Sequence, residues 1–561
     1  MAGFDKDVSL ARSIRRFFEV IRIEKKEVSA IYFYAILSGL IQLSLPLGIQ
    51  AIINFAQVAA GRGKLPTSMW ILIILVVGGV LISGIVQVNQ MKVVEKIQQR
   101  IFSRYAFEFS FKIPRLKLAD TDGYHMPELV NRFFDVVSLQ KSLSKLLLEI
   151  PLAVIQVLFG IILLSFYNPL FIVLGLMLLL MLYLSLSLTA KRGLEASLRE
   201  SNYKYNVVAW LEELARAFKS FKVSGKHNLH LEKTDHLLEG YLEARTDHFN
   251  VLKLQYWSLI IFKLLITAAM LIVGALLLVD QQLNLGQFIA AEIVIITVLG
   301  AVEKLILSLD KAYDVLTSLE KLSKVTDKQM ESNGKLKFSE NDNGVSLRAE
   351  NLSFGFRKDK NILQDIDFNI AAGQKVCIQG NAGSGKSVLM ELATGSLDTH
   401  QGSLLINDVP IGNYDLASFR HHIGVFYHEQ DIFQGTLMEN ITMGDHSIDI
   451  NYLMNLADVV GLKKLISSMP NGFDEMLEPT GKGLSSIIAK KILLLRAFAG
   501  SPKLLLLDEP FEMAGGEDCD KITSYLKSLK QTTVIVVTGN KSFAEQCDQV
   551  LFMENGMIKQ Q

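Results

Sequence analysis

A chain of 561 residues is longer than one hydrophobic core organises, so two or more domains are expected. Lys plus Arg and Asp plus Glu both number 57, and the absence of net charge argues against nucleic acid as a bulk partner. Hydrophobic residues reach 50% and the mean hydropathy is +0.30, high for a soluble protein, with the long apolar runs gathered in the first half of the chain. Cys377, Cys519 and Cys547 lack the spacing of a metal site or a disulfide framework, and read as reduced thiols in a cytosolic domain.

Residues 1–27 carry charge throughout and contain no apolar core of signal-peptide length. Ile14, Phe17, Phe18, Ile21 and Ile23 alternate with Arg15, Arg16, Arg22, Lys25 and Lys26, the pattern of an amphipathic helix lying in a membrane interface. Residues 28–325 then hold six segments apolar enough to cross a bilayer, with cores at 29–54, 69–88, 146–166, 169–188, 256–279 and 287–309. The links after spans one, three and five are short. Those after spans two and four are long and rich in Lys and Arg, which places them, and both termini, on the cytoplasmic side. The long links carry apolar residues at helical spacing, so the spans are expected to continue as cytoplasmic helices. Breaks are expected near LADTDGYHMPE and over Asn202–Trp210, where short transverse helices would sit.

Ionisable residues inside spans are functional candidates. Glu292 is expected about 12 Å below the outer surface, facing an internal cavity, and Lys263 about 25 Å down, too deep to pair with it directly. Residues 326–344 are polar and read as the end of the sixth helix followed by a linker.

From Val345 the pattern turns to short strands. Strand KVCIQ runs into GNAGSGKS and then into the helical VLMELATG, which satisfies G-x-x-x-x-G-K-[ST] in its strand–loop–helix context. Gly380, Asn381, Ala382, Gly383, Ser384 and Gly385 are expected to wrap phosphates with backbone N–H groups, Lys386 to reach the β- and γ-phosphates, and Ser387 to hold Mg²⁺. A second motif, PKLLLLDEP, ends a buried strand in two carboxylates. Asp508 would support the metal and Glu509 would polarise the attacking water.

With these motifs in order, the chain resembles the ATP-binding cassette exporters in their half-transporter form, over essentially its whole length. The resemblance implies an all-α six-span transmembrane domain with long cytoplasmic helices, then an α/β P-loop nucleotide-binding domain over 345–561. It implies ATP and Mg²⁺ as cofactors and a multi-pass place in the cytoplasmic (inner) membrane, within a lipid bilayer. It also implies a homodimer or a heterodimer with another such half-transporter, because each ATP is sandwiched between one subunit's phosphate loop and the other's signature. A periplasmic adaptor is a further candidate partner. Phe356, in LSFGF, matches the aromatic that stacks on adenine.

Four positions depart from the family pattern. The glutamine that joins Mg²⁺ and water falls on His428, which is carried here as a catalytic candidate, with Gln430 two positions late. The signature falls on Leu484-Ser485-Ser486-Ile487-Ile488, keeping Ser485 as the nucleotide contact and losing both glycines. The aspartate after the DEP motif falls on Gly515 and the switch histidine on Gly539. Apolar bulk in place of glycine should weaken phosphate contact, and losing the histidine should slow phosphoryl transfer. Two readings follow: an exporter of a peptide, protein or amphipathic molecule with slow hydrolysis, or an ATP-binding, non-hydrolysing half of a secretion complex. A lipid or drug substrate is the runner-up. No peptidase segment stands ahead of the first span, which points away from leader processing.

Overall fold

A computed structural model describes residues 10–59, 66–118, 126–225, 227–339, 344–356, 360–397, 401–427 and 430–559. The chain divides into two compact units, one from Met1–Pro114 and Gly123–Lys328, the other from Arg115–Asp122 and Gln329–Gln561.

The first unit is helical. Its amphipathic α1 (Leu10–Ile23) carries Arg16, which forms ion pairs with Glu320 and, at 2.7 Å, with Asp327. Six long helices follow: α2 (Lys25–Ala59), α3 (Thr67–Lys112), α4 (Asp135–Tyr167), α5 (Leu170–Arg216), α6 (Leu229–Val279) and α7 (Leu285–Thr326). Each holds a stretch long and apolar enough to cross a membrane. The surface of α3 exposes Ile71, Ile74, Leu75, Val77 and Leu81, an outward apolar face that suits lipid rather than water. The interior is formed by α4 to α7, where Val157, Phe171, Leu259, Met270, Val294 and Val298 share one core. Close approach there needs small residues: a Cβ on Gly160 would lie 2.3 Å from Val298 Cγ2.

Helix starts follow local chemistry. Asn284 opens α7 with a reciprocal capping box, accepting from Gln287 N at 2.8 Å while Gln287 Oε1 accepts from Asn284 N at 2.9 Å. Asn168 Oδ1 accepts from Leu170 N at 2.9 Å, closing the tight hairpin between α4 and α5. The expected break over Asn202–Trp210 is not present. Helix α5 runs through it to Arg216, and the chain turns at a short helix, Phe218–Val223. The reason is packing: Tyr205 and Trp210 are buried, Tyr205 donates to Asp135 Oδ2 at 2.6 Å, and Asn202 accepts from the buried Lys321. These contacts outweigh the modest helix propensities of Asn, Tyr and Trp.

The second unit holds a four-stranded antiparallel sheet in the order β2 (Leu363–Ile370), β1 (Leu347–Phe354), β4 (Gln401–Ile406), β5 (Val409–Pro410). A six-stranded sheet runs β12 (Met557–Lys559), β11 (Gln549–Glu554), β3 (Lys375–Gly380), β10 (Thr533–Val537), β9 (Leu504–Asp508), β6 (Ile423–Phe426). A two-stranded ribbon joins β7 (Gly435–Thr436) to β8 (Met476–Leu477). Strands β9 and β10 are apolar along nearly their whole length, as buried parallel strands are.

Much of the 326–344 segment packs within this unit. Arg115 O accepts from Glu331 N at 2.8 Å and Lys117 N donates to Gln329 O at 3.2 Å. Arg420 grips Glu331 with two parallel hydrogen bonds of 2.8 Å, and Gly334 N donates to Tyr414 O at 2.9 Å.

Candidate nucleotide-binding site

The site is built at one end of the parallel sheet. Val537 on the middle strand is in register with Ile378 on one side and Asp508 on the other. The segments that follow these strands, 380–387, 509–510 and 538–540, therefore emerge along a common edge, the position where α/β sheets place ligands.

The loop after β3 depends on glycine. Gly380, Gly383 and Gly385 have φ of 151°, 78° and 98°, and a Cβ on Gly380 would fall 2.1 Å from Met553 O. The loop feeds α8 (Lys386–Ala393), whose N-terminal N–H groups lack intrahelical partners. The Lys386 ammonium curls back over the loop, donating to Gly380 O at 2.8 Å and Asn381 O at 2.9 Å. Ser387 Oγ donates to Asp508 Oδ2 at 3.1 Å, which brings together two residues from separate motifs. The next residue, Glu509, sits at φ 49° and donates its N–H to Val537 O at 2.8 Å. A left-handed non-glycine residue at the end of a buried strand is the kind of backbone strain found at functional sites. Ala382 and Ser384 complete the loop, with Ser384 Oγ accepting from Lys386 Nζ at 3.4 Å.

The outlying candidates are placed less uniformly. Phe356 is 43% exposed and packs against the buried Phe354 in a T-shaped contact, with ring centroids 5.2 Å apart. His428 lies outside the described residues. Its neighbour Gln430 turns its side chain onto the backbone, accepting from Tyr427 N at 3.3 Å. Ser485 caps α9 (Ser486–Ala499), accepting from Ile488 N at 3.2 Å. The two isoleucines differ: Ile487 is 52% exposed, whereas Ile488 packs against a hydrophobic core. That core is distinct from the one beneath α8. Gly515 precedes α10 (Gly516–Ser528), and both Gly515 and Gly539 have open space where a Cβ would stand. Glu292, in the membrane unit, is half-buried, and its Oε2 has no hydrogen-bond partner among the described residues.

Two residues escaped the sequence reading. Tyr427 Oη donates to Met390 O in α8 at 3.0 Å, and burial pushes its hydroxyl pKa up. In the membrane unit, Lys263 pairs at 2.5 Å with Glu303 on the neighbouring α7. A carboxylate inside an apolar span was the available signal, but its partner is a matter of helix packing.

Comparison with known proteins fits both units. Residues 28–302 match the family model for the ABC transporter transmembrane region, and residues 363–512 match that for the ABC transporter. The chain is an ABC exporter half-transporter. Among its relatives, the exporter is 31% identical over 245 residues to an ATP-dependent lipid A-core flippase of Saccharophagus degradans, covering 43% of this chain and 42% of that protein. It is 26% identical over 326 residues to the cyclolysin secretion/processing ATP-binding protein CyaB of Bordetella pertussis, covering 58% and 46% respectively. The matched stretch spans less than half the length of each of these relatives. In fold, the exporter resembles a bacterial Atm1-family ABC exporter with ATP bound, with a TM-score of 0.85, 18% identity and 96% of both chains covered. This half-transporter is thus a multi-pass membrane protein carrying an ABC ATP-binding domain.

Proposed function

We propose that this half-transporter couples ATP binding and slow hydrolysis to export of a peptide, protein or amphipathic substrate across the cytoplasmic membrane, with both termini on the cytoplasmic side. The observation that carries it is the assembly of Lys386, Ser387, Asp508 and Glu509 at one sheet edge, beside a glycine loop open at Gly383.

The residues present fit ATP and Mg²⁺. A loop of outward N–H groups at a helix N-terminus suits phosphate, and the Ser387 hydroxyl with the Asp508 carboxylate is the hard-oxygen set that Mg²⁺ takes. Lys386 would neutralise phosphate charge once it leaves the loop carbonyls. Glu509 would orient and accept a proton from water, and the part-exposed Phe356 would stack on the base. Bound Mg²⁺ would supply charge neutralisation at the phosphates.

Slow turnover is supported by Ile487, Gly515 and Gly539. An exposed isoleucine stands at the helix N-terminus that would otherwise offer backbone to a phosphate. Gly515 and Gly539 carry no side chain toward the nucleotide. The nucleotide sandwich would be completed by a second half-transporter, identical or different, as the resemblance implies. Purified protein in lipid, alone and with a copurifying partner, tests this directly. ATPase above that of Lys386→Ala and lost in Glu509→Gln is expected; nucleotide binding without turnover would replace export by a non-hydrolysing, regulatory role.

A further inference from the structure

Helix α8 carries both Lys386 and Ser387, yet it is only eight residues long. Its inner face, with Leu389, Met390, Leu392 and Ala393, is buried in an apolar core. Apolar contact is non-directional, so it holds a short helix down without fixing its rotation or its advance along the sheet. The position of the Ser387 hydroxyl depends on both.

Strand β6 supplies a directional tie. Phe426 is in register with Leu507 on β9, which brings Tyr427 out of β6 beside Asp508. Tyr427 N donates to Gln430 Oε1 at 3.3 Å and Tyr427 O accepts from Gln430 N at 3.4 Å, so its backbone is held in a closed turn. From there the half-buried ring reaches α8, where its hydroxyl donates to Met390 O at 3.0 Å. That carbonyl already accepts from Thr394 N at 3.2 Å, so the helix does not need the hydroxyl to satisfy it. The ring also borders a cavity of about 230 Å³ with Thr394, Arg420 and Gln430 in its wall, so dense packing does not set the helix on this side.

Ser387 and Met390 stand three residues apart, about 4.5 Å along the axis of α8. The first is tied to Asp508 on β9, the second to Tyr427 at the end of β6, and the two strands pair with each other. The ties close a circuit through helix and sheet, and the helix can neither roll nor slide without breaking one of them.

We propose that Tyr427 is a positioning residue for the metal and phosphate site: through Met390 O it sets α8 so that Ser387 Oγ meets Asp508 at a spacing that suits Mg²⁺. The proposal rests on the reading that this site takes ATP with Mg²⁺. His428 stands where a glutamine would join the metal, so Ser387 and Asp508 are the oxygens left to hold it and their spacing carries more of the fit.

The test is ATP binding to the full chain in lipid nanodiscs, measured by calorimetry with Mg²⁺, with Ca²⁺ and in excess EDTA. Tyr427→Phe removes the hydroxyl and keeps the ring. Its affinity for ATP should fall about fivefold with Mg²⁺, the scale of one hydrogen bond, and by less than about twofold in EDTA. Mg²⁺ demands near-octahedral oxygens whereas Ca²⁺ accepts irregular sets, so the loss with Ca²⁺ should also stay below about twofold. If Tyr427→Phe does not fold by its thermal transition, Tyr427→Met takes its place, filling the space without a donor. A loss as large with Ca²⁺ or in EDTA as with Mg²⁺ would make Tyr427 a structural support only, and an unchanged Mg²⁺ affinity would remove it from the site; either result overturns the proposal. Wild-type affinity that is the same with Mg²⁺ and in EDTA would overturn the ATP–Mg²⁺ reading as well. Failure of the variant against a metal-dependent wild type leaves that reading standing.

Discussion

Ser387 Oγ and Asp508 Oδ2 lie 3.1 Å apart although 121 residues separate them in the chain. The contact joins the end of the phosphate loop to the end of β9, and makes one oxygen cluster from two motifs. If that cluster holds Mg²⁺, Ser387→Ala should weaken ATP binding about tenfold in the presence of Mg²⁺ and barely at all in excess EDTA. Calorimetry under both conditions measures the difference. Equal weakening in the two buffers would make the hydroxyl a structural group only.

Turnover should be recoverable. Gly539 has open space around a built Cβ and a φ outside the left-handed region, so Gly539→His is sterically tolerated. Ile487 faces outward, so Ile487→Gly should cost about 1 kcal/mol of helix propensity at most. Ile488→Gly is the wrong repair, because its part-buried side chain packs against the core and its removal should cost about 1–3 kcal/mol. The double variant Ile487→Gly/Gly539→His should raise ATPase by about tenfold or more, since orientation and charge stabilisation dominate phosphoryl transfer. An unchanged rate would show that these positions do not limit turnover.

The Lys263–Glu303 pair lies between spans, where a single charge is costly. Lys263→Met alone should destabilise the protein by about 2 kcal/mol, because it leaves Glu303 uncompensated. Lys263→Met/Glu303→Gln should recover most of the loss. Thermal unfolding in a fixed detergent gives the comparison, and a double variant no better than the single one would refute the coupling.

The Arg420–Glu331 fork fastens the segment after α7 to the soluble unit. Glu331→Ala should cost about 1–2 kcal/mol and expose the 329–336 segment to proteolysis. Limited digestion of wild type and variant reads this out; identical cleavage rates would mean the fork does not anchor the segment. Gly334→Ala should be worse, since its Cβ would stand 2.1 Å from the Asn413 backbone.

How much of this was legible varied with the range of the interaction. The phosphate loop could be read because its glycines, lysine and serine are adjacent in sequence and their conformational demands are local. The strand ending in Asp508 and Glu509 could be read because a run of four leucines followed by acids has few other uses. The continuity of α5 through Asn202–Trp210 could not, because it depends on Lys321, Asp135 and the buried faces of Tyr205 and Trp210. The Tyr427–Met390 bond was hidden for the same reason.

Membrane spans and an ABC ATP-binding domain were written into local stretches of the chain, because apolar run length and loop glycines act over a few residues. Which charges meet was left to packing. It set Ser387 against Asp508, Lys263 against Glu303 and Arg420 against Glu331, and it separated Ile487 from Ile488 although the two are neighbours. Helix phase and strand register choose those partners, and both emerge only when whole elements pack.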